Sequence, residues 1–347
     1  MRKEMKNILG ASSCIAMLII ILDSRTAVSS ITTGIELCLQ TVVPALFPFL
    51  ILSGIMNKCI LGQRLRFMTP ICRMCRIPTG SESILLIGLL SGYPVGAKLI
   101  AEAYLAGSLT EKTARRMLGF CSNAGPAFIF GIVASAFNDP LIPWVLWVIH
   151  IISALIVGFL LPGETNDICK LPECKPISVT QALNNAIKTI ATICGWVILF
   201  RLILDYFNIW FLKFLPMELQ VFICGAIELS NGCIVLQKIS HNGVRFVLAS
   251  AILASGGVCV AMQTASVTDK LGWGSYFPGK LLQTLLSVAL SSILQPYLFP
   301  RDPQIQIPFF YFLIPVIFAL ILSYLLNRKK VVAFGGRMLY NTDNKCI

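Results

Sequence analysis

Eight stretches of this chain are long and apolar enough to cross a lipid bilayer as helices. A membrane-spanning helix needs about 20 mostly apolar residues, because the hydrocarbon layer is about 30 Å thick. Hydrophobic residues make up 56% of the chain and charged residues only 13%, whereas charged residues average about 25% of a soluble domain. We therefore predict an all-helical, all-α polytopic membrane protein. The predicted spans are residues 7–22, 35–57, 117–137, 141–161, 183–206, 246–267, 280–299 and 305–326.

Basic residues set the predicted topology. The net charge is +12, and lysines and arginines in short loops mark the cytoplasmic side. The N-terminus, with Arg2, Lys3 and Lys6, is therefore predicted to be cytoplasmic, and counting through the spans places the C-terminus there too. We expect an uncleaved first helix, although its basic head and short apolar core also fit a cleaved signal peptide. Since the basic residues are explained by membrane topology, we expect no nucleic acid partner.

Two further apolar stretches, residues 83–106 and 218–238, are interrupted midway by small and polar residues. The first has basic flanks on both sides, around Arg64 before it and around Arg115 after it. Because basic loops lie on the cytoplasmic side, this stretch is predicted to be a re-entrant helical hairpin that enters and leaves on one face. Treating both stretches as full spans also gives a cytoplasmic C-terminus, so that alternative stays open.

The order of elements is repeated along the chain. Residues 35–161 read as span, hairpin, span, span, and residues 183–299 read the same way in the opposite orientation. Inverted repeats with broken helices in matching positions are typical of secondary transporters. The predicted organisation is an N-terminal transmembrane helix and loop (1–34), a first repeat (35–161), a cytoplasmic or interfacial linker (162–182), a second inverted repeat (183–299), and a last transmembrane helix with a basic cytoplasmic tail (300–347).

The broken segments carry the predicted binding site. Inside a bilayer every backbone N–H and C=O needs a partner, so unwound backbone must face protein or a hydrated cavity. At the first tip Pro94 removes a donor, and Gly92 and Gly96 permit a turn. Helix N-termini at the tips, together with Lys98, would favour an anion. The predicted solute-binding residues are Ser91, Gly92, Tyr93, Pro94, Gly96 and Lys98 at the first tip, Ser122, Asn123, Gly125 and Pro126 on the next span, Glu228, Ser230, Asn231 and Gly232 at the second tip, and Ser255, Gly256 and Gly257 on the span after it.

Ionisable residues at membrane depth are candidates for function because they are costly there. We predict Glu102 and Glu228 to be proton- or ion-coupling residues, and Glu228 has no obvious local partner in the sequence. Lys98 and Glu102 are four residues apart, so they can equally form a structural pair on one helix face. Other ionisable residues in apolar stretches are assigned to structure, namely the pair Arg201 and Asp205, and His150.

No catalytic or cofactor site is predicted. The sequence lacks a phosphate-binding loop and a recognisable set of nucleophile, base and orienting acid, so we expect neither ATP-driven transport nor an enzyme. Cys72 and Cys75, with Cys169 and Cys174, are only a weak indication of zinc, because a structural zinc site needs two well-spaced ligand pairs. We therefore predict no metal and no other cofactor.

Four segments, PALFPFLILSGIM, SGYPVGAKLIAEAYLAGSLT, FCSNAGPAFIFGIV and GAIELSNG, resemble the sporulation integral membrane proteins of the YlbJ type, which carry nucleoside-recognition (Gate) domains. The resemblance extends from about residue 35 to about residue 300. It implies a fold similar to concentrative nucleoside transporters and a role in moving dipicolinic acid from the mother cell towards the forespore. The family usually has FCNNAGP, whereas this chain has Ser122 at the first asparagine position.

These observations together predict a membrane transporter that works by alternating access during sporulation. The expected solute is small and anionic or polar, with dipicolinic acid first, and the expected location is the multi-pass cell membrane on the mother-cell side, the outer forespore membrane. Coupling to a proton, coupling to sodium and passive movement stay open, as does a homo-oligomer. The alternatives are a nucleoside transporter and a non-transporting sporulation membrane scaffold.

Overall fold

The computed structural model describes residues 2–163, 177–268 and 271–302. The predicted last span, the basic tail, and Cys169 and Cys174 of the linker lie outside these residues. The described part of the chain is helical and contains no strand. Within it, five helices are long and apolar enough to cross a membrane, which confirms a membrane protein with several apolar helices. They are Ser24–Ile60, Leu141–Leu160, Val179–Trp210, Asn242–Val267 and Tyr276–Leu298.

The N-terminal region is helical almost throughout. Helix α1 (Arg2–Leu22) contains the first predicted span, and helix α2 (Ser24–Leu37) follows it directly. The predicted loop before residue 35 is therefore wrong, because an Asp23 carboxylate oxygen accepts a hydrogen bond from the Thr26 N–H and caps a new helix. A π-helical turn (Cys38–Val42) joins α2 to α3 (Val43–Ile60), so that one apolar helix results.

Each half of the chain contains a pair of short helices that fold back on each other. In the first half, α5 (Glu82–Leu90) and α6 (Val95–Leu105) meet so closely that a Cβ on Gly96 would touch the backbone of Gly88. In the second half, α11 and α12 meet in the same way at Gly225 and Gly232. The two interrupted stretches are therefore helical hairpins. The bounds of the second pair are Met217–Ile227 for α11 and Leu229–Val235 for α12.

The span predicted over 117–137 is interrupted in the structure, and the interruption is longer than the SNAGP motif (residues 122–126) within that span. Helix α7 (Glu111–Met117) ends where that span should begin, residues 118–125 are not helical, and α8 (Pro126–Gly131) is a half-length helix followed by a 3-10 turn (Val133–Ala136). Proline at position 126 disfavours helical backbone at the residue before it. The Asn123 side chain also donates to the Phe120 carbonyl, 2.7 Å away, and so replaces a helical hydrogen bond.

The other long helices enclose the hairpins. Helices α9 (Leu141–Leu160), α13 (Asn242–Ser255) and α15 (Tyr276–Leu298) pack against one another, and α10 (Val179–Trp210) packs along α2 and α3. Large apolar side chains on these helices are exposed, as expected of surfaces that face lipid, among them Trp144, Leu199 and Phe277. The remaining elements are α4 (Thr69–Met74), α14 (Gly257–Val267) and 3-10 turns at Arg66–Met68, Leu212–Phe214 and Leu236–Lys238.

The repeated order of elements is visible in the structure. A long helix, a hairpin, a broken helix and a further long helix follow one another twice, with breaks at residues 118–125 and at Gly256. The second arm of each hairpin packs against the opposite half, since α6 contacts α14 and α12 contacts the 3-10 turn after α8. The two halves are therefore interleaved, and their hairpin tips point to a common region.

Candidate functional site

The first hairpin tip rests on the break between α7 and α8. Gly92 has a left-handed backbone (φ 77°), which glycine adopts without steric cost. A Cβ on Gly125 would lie only 2.9 Å from the Gly92 nitrogen, and a Cβ on Gly88 or Gly96 would clash with the Cys121 carbonyl oxygen. The glycines predicted for the tip are thus needed because two unwound backbones approach each other here.

The second hairpin tip is organised by Glu228. Its Oε1 accepts a hydrogen bond from the Ser230 N–H (3.1 Å), and its Oε2 accepts from the N–H (2.7 Å) and the Nδ2 (2.8 Å) of Asn231. The carboxylate therefore caps α12, and the absence of a local partner inferred from the sequence is wrong. Because this carboxylate already occupies the positive end of α12, that end is not free for an anion, contrary to the sequence-based expectation.

The second tip also rests on a helix break. Gly256 and Gly257 both have left-handed backbones, with φ of 70° and 76°. A Cβ on Gly257 would lie 2.8 Å from the Gly225 carbonyl oxygen, in the last part of α11. Two consecutive glycines are required because the break turns sharply and passes close to the hairpin. Each hairpin is thus seated on the break that follows it.

A small cavity lies where the two tips meet, and we call it the tip cavity. Its volume is about 60 Å³, which leaves space for a few water molecules. Six of the predicted binding residues line it: Ser91, Gly92, Tyr93, Gly125, Glu228 and Ser230. The remaining lining residues are Leu46, Phe49, Leu50, Ala124, Ala127, Phe128, Ile193, Val197, Leu229, Val260 and Gln263.

The other predicted residues surround the tip cavity without lining it. Ser122 and Asn123 are buried in the α7–α8 break, Asn231 and Gly232 lie behind the second tip, and the Ser255 hydroxyl donates to the Ile252 carbonyl. Gly256 approaches the Tyr93 hydroxyl. Apart from Pro94 and Lys98, the predicted residues therefore either line the tip cavity or surround it, and the surrounding group is completed by Pro126, which begins α8, Gly96 and Gly257.

Lys98 and Glu102 lie in a separate cleft, which we call the lysine cleft. It has a volume of about 270 Å³ and lies between α3, α6 and α10. The Lys98 Nζ is 3.9 Å from a Glu102 carboxylate oxygen, and both side chains are at least half exposed. The sequence analysis placed Lys98 at the first tip, whereas in the structure its side chain lies in this cleft. Pro94 of the first tip also borders the cleft. Its other polar lining residues are Ser53, Asn57, Lys58, Asn185, Lys188 and Thr189.

A buried lysine beside the first tip was missed by the sequence analysis. Lys280, on α15, is 4% exposed, and its Nζ donates to the Gln283 Oε1 (2.8 Å) and the Asn123 Oδ1 (3.4 Å). The Nζ also lies 5.1 Å from the centre of the Tyr93 ring, in cation–π geometry. In the sequence, Lys280 stands in an apolar stretch. It is the first residue of a predicted span, and the prediction therefore placed it at the membrane surface.

His150 holds the α7–α8 break in place. Its Nε2 accepts a hydrogen bond from the Ala124 N–H at 3.1 Å, and its backbone carbonyl accepts from the Gln283 side chain at 3.2 Å. The histidine is thus a structural residue, as the sequence indicated, but one that positions the unwound backbone. Because Nε2 accepts a hydrogen bond, it carries no proton, and the single N–H proton of the neutral imidazole ring is assigned to Nδ1.

The predicted pair of Arg201 and Asp205 is present and extends to the second tip. The Arg201 Nε lies 2.9 Å from an Asp205 carboxylate oxygen, and its Nη1 donates to the Asn231 Oδ1 at 3.2 Å. Through Asn231, the guanidinium is linked to the Glu228 carboxylate. This arginine therefore connects α10 to the tip cavity, a role that the spacing of residues 201 and 205 does not reveal.

Comparison with known proteins gives one relative. The chain is 24% identical over 314 aligned residues, covering 76% of each chain, to the sporulation integral membrane protein YlbJ of Bacillus subtilis (strain 168). No protein-family model matches the chain, and no solved structure matches it. The similarity to YlbJ confirms, as the quoted motifs predict, that this chain is related to the YlbJ-type sporulation integral membrane proteins.

Proposed function

We propose that this protein is a transporter that moves a small anionic or polar solute across a membrane during sporulation, with dipicolinic acid as the first candidate. The observation that carries the proposal is the meeting of the two hairpin tips, the α7–α8 break and helix α14 at one cavity, which is lined by Ser91, Glu228, Ser230 and Gln263 among others. The relation to a sporulation membrane protein supports the cellular context.

The physical argument concerns unpaired backbone. In a bilayer, non-helical backbone is tolerated only where it is buried in protein or lines a hydrated cavity. Broken helices that meet in pairs near one point form the binding sites of many secondary transporters, and alternating access then moves one repeat against the other. The tip cavity, at about 60 Å³, has space for only a few water molecules, so transport of a larger solute requires the tips to separate.

The charge of the lysine cleft supports an anionic solute. Lys58, Lys98 and Lys188 line it, and Glu102 is the one acidic side chain among its described lining residues. A cleft with an excess of one charge raises the local concentration of oppositely charged solutes. Ser91 connects the two spaces, since its hydroxyl donates to the Asn57 Oδ1 (2.9 Å), and Asn57 lines the cleft while Ser91 lines the tip cavity. We infer that solute enters through this cleft.

Glu228 is the proposed coupling residue. It is the one carboxylate among the described residues that line the tip cavity, and it is only 2% exposed. A proton or sodium ion that binds this carboxylate would compete with its hydrogen bonds to α12 and so would act on the second tip. Glu102 lies outside the tip cavity, in the lysine cleft, and its side chain is half exposed, so its position suits coupling less well than that of Glu228.

The proposal includes a location and a topology. The protein is placed in the outer forespore membrane, on the mother-cell side, with cytoplasmic termini, and both hairpins are re-entrant within an inverted repeat. A neutral nucleoside is the second candidate solute, because Ser91, Ser230 and Gln263 offer uncharged hydrogen-bonding groups to the tip cavity.

Uptake into vesicles tests the proposal. The full chain, reconstituted in liposomes, is expected to take up labelled dipicolinate, and Glu228→Gln is expected to abolish the dependence of uptake on an imposed pH or sodium gradient. Labelled uridine and adenosine are measured in parallel, and Lys213→Met is the surface control. Uptake of nucleosides alone would select the second candidate. Uptake of neither solute by folded protein would contradict transport and favour a membrane scaffold.

A further inference from the structure

We propose that Lys280 is the residue that recognises the negative charge of the transported solute, which makes that solute a carboxylate and not a neutral nucleoside. This inference rests on the proposed transport function and assigns its anion subsite to α15. Lys280 lies outside both hairpins and outside the lysine cleft.

The first argument is the missing counter-ion. Lys280 is 4% exposed, and its two described hydrogen-bond acceptors, the Gln283 Oε1 and the Asn123 Oδ1, are neutral amides. No ion pair joins it to a carboxylate in the described part of the chain. A buried ammonium group is costly unless an opposite charge accompanies it. A solute carboxylate would supply that charge.

The second argument is a surplus of unused hydrogen-bond donors around the lysine. The hydroxyl groups of Tyr93 and Ser122 are buried and have no partner among the described residues, and the buried hydroxyls of Tyr276 and Thr264 have at most each other. Tyr276 precedes Lys280 by one helical turn, and the two tyrosine oxygens lie 3.0 and 3.6 Å from the position that a Cβ on Gly256 would occupy. Buried hydroxyls are nearly always paired, and a carboxylate accepts several donors at once.

The third argument is access from the tip cavity. The Tyr93 side chain is one of the groups that line the cavity, and the Lys280 ammonium lies against its ring. A solute carboxylate in the cavity therefore reaches Lys280 once the Tyr93 ring turns aside. Tyr93 belongs to the first tip, so this movement is part of the separation of the tips that alternating access requires. The same ammonium contacts Asn123 of the α7–α8 break, which places the charge beside the unwound backbone.

The structural alternative is that Lys280 only fastens α15 to the break at Asn123. Both roles rest on the same contacts of Lys280 within the protein, so loss of stability on mutation cannot separate them. The distinguishing property is ligand charge, because a purely structural lysine affects charged and neutral ligands alike.

The experiment is therefore a cycle of protein and ligand changes, with binding measured by calorimetry on the full chain in nanodiscs. The ligands are pyridine-2,6-dicarboxylate and its neutral dicarboxamide. We expect Lys280→Met to weaken dicarboxylate binding at least about tenfold, since a hydrogen bond to a charged group is worth about 10- to 100-fold, and to change dicarboxamide binding less than about twofold. Lys280→Arg should keep most of the affinity, and Lys213→Met, an exposed lysine, should keep all of it.

The outcomes separate this inference from the proposed function. Equal effects of Lys280→Met on both ligands, or no effect on either, would overturn the role of Lys280 while leaving transport intact. Wild-type protein that binds nucleosides and no dicarboxylate would also overturn it, and binding of no solute at all would overturn both proposals.

If Lys280→Met is not monodisperse, Tyr93→Phe replaces it, because the ring over Lys280 remains. Its dicarboxylate affinity is expected to fall about threefold or more, and an unchanged value would contradict the site.

Discussion

Arg116 shows that a basic residue in a predicted cytoplasmic segment can be buried and hold helices together. Its position in a basic segment predicts a cytoplasmic loop residue, yet it is 5% exposed and donates to the carbonyls of Cys75, Arg76, Gly158 and Leu161. The guanidinium therefore ties α7 to the ends of α4 and α9. Burial lowers its pKa to about 10, so it stays protonated at neutral pH and can make all of these bonds.

Replacement of Arg116 by methionine is expected to cost at least about 3 kcal/mol of stability, because several buried carbonyls lose their donor and each costs about 1–3 kcal/mol when unpaired. Thermal unfolding of the detergent-solubilised protein measures the loss. The matched control is Arg115→Met, since Arg115 is half exposed and pairs with Glu111, an interaction worth less than about 1 kcal/mol. Equal melting temperatures for the two variants would contradict the structural role of Arg116.

Glu228 combines a structural and a functional position in one side chain. Glu228→Gln keeps the size but replaces one carboxylate oxygen by an amide nitrogen, which then faces the N–H of either Ser230 or Asn231, so it should destabilise the protein by about 1–3 kcal/mol. Glu228→Asp retains a charged cap and is expected to lose less. The melting temperatures of the two variants provide the comparison. A glutamine variant as stable as wild type would mean that the carboxylate is not the cap of α12.

At the scale of elements, the hairpins depend on glycines that face backbone. Gly96→Ala is expected to reduce the melting temperature and the yield of folded protein, because the new Cβ would clash with the Cys121 carbonyl oxygen and the Gly88 backbone. Gly54→Ala is the matched control, since Gly54 lies in helix α3 with nothing within 4 Å of its Cβ position, and alanine there should be neutral or stabilising by up to about 1 kcal/mol. If Gly96→Ala behaves like Gly54→Ala, the close seating of the hairpin on the break is wrong.

The hairpins and a break at the SNAGP motif could be predicted from the sequence, whereas the extent of the break before α8 could not. Runs such as Ser91–Pro94 contain residues that end helices whatever surrounds them. The unwinding of residues 118–125 depends instead on tertiary contacts, including the His150 ring on the Ala124 N–H. The role of Lys280 has the same origin, because its neighbours come from the first tip and the α7–α8 break, far away in the sequence. Local pattern therefore locates the tips, and long-range packing decides which polar groups surround them.

At the scale of the whole molecule, the lengths of the hairpin arms limit how the chain can cross the membrane. The four arms α5, α6, α11 and α12 contain 9, 11, 11 and 7 residues, which corresponds to about 10–17 Å each at 1.5 Å per residue. None can cross a hydrocarbon layer of about 30 Å. Because the arms of each pair also fold back on each other, we expect each hairpin to enter and leave on the same face.

Site-specific labelling tests this topology. In a cysteine-free background, Gln63→Cys lies before the first hairpin and Lys112→Cys lies after it, and both positions are exposed. If α5 and α6 form a re-entrant hairpin, a membrane-impermeant maleimide should label both cysteines from the cytoplasmic side and neither from outside. Asn138→Cys, exposed at the far end of α8, should show the opposite pattern. Labelling of Lys112→Cys from the outside and of Gln63→Cys from the cytoplasm would instead mean that the hairpin segment crosses the bilayer once, and the tips of the two halves would then not lie at a common depth.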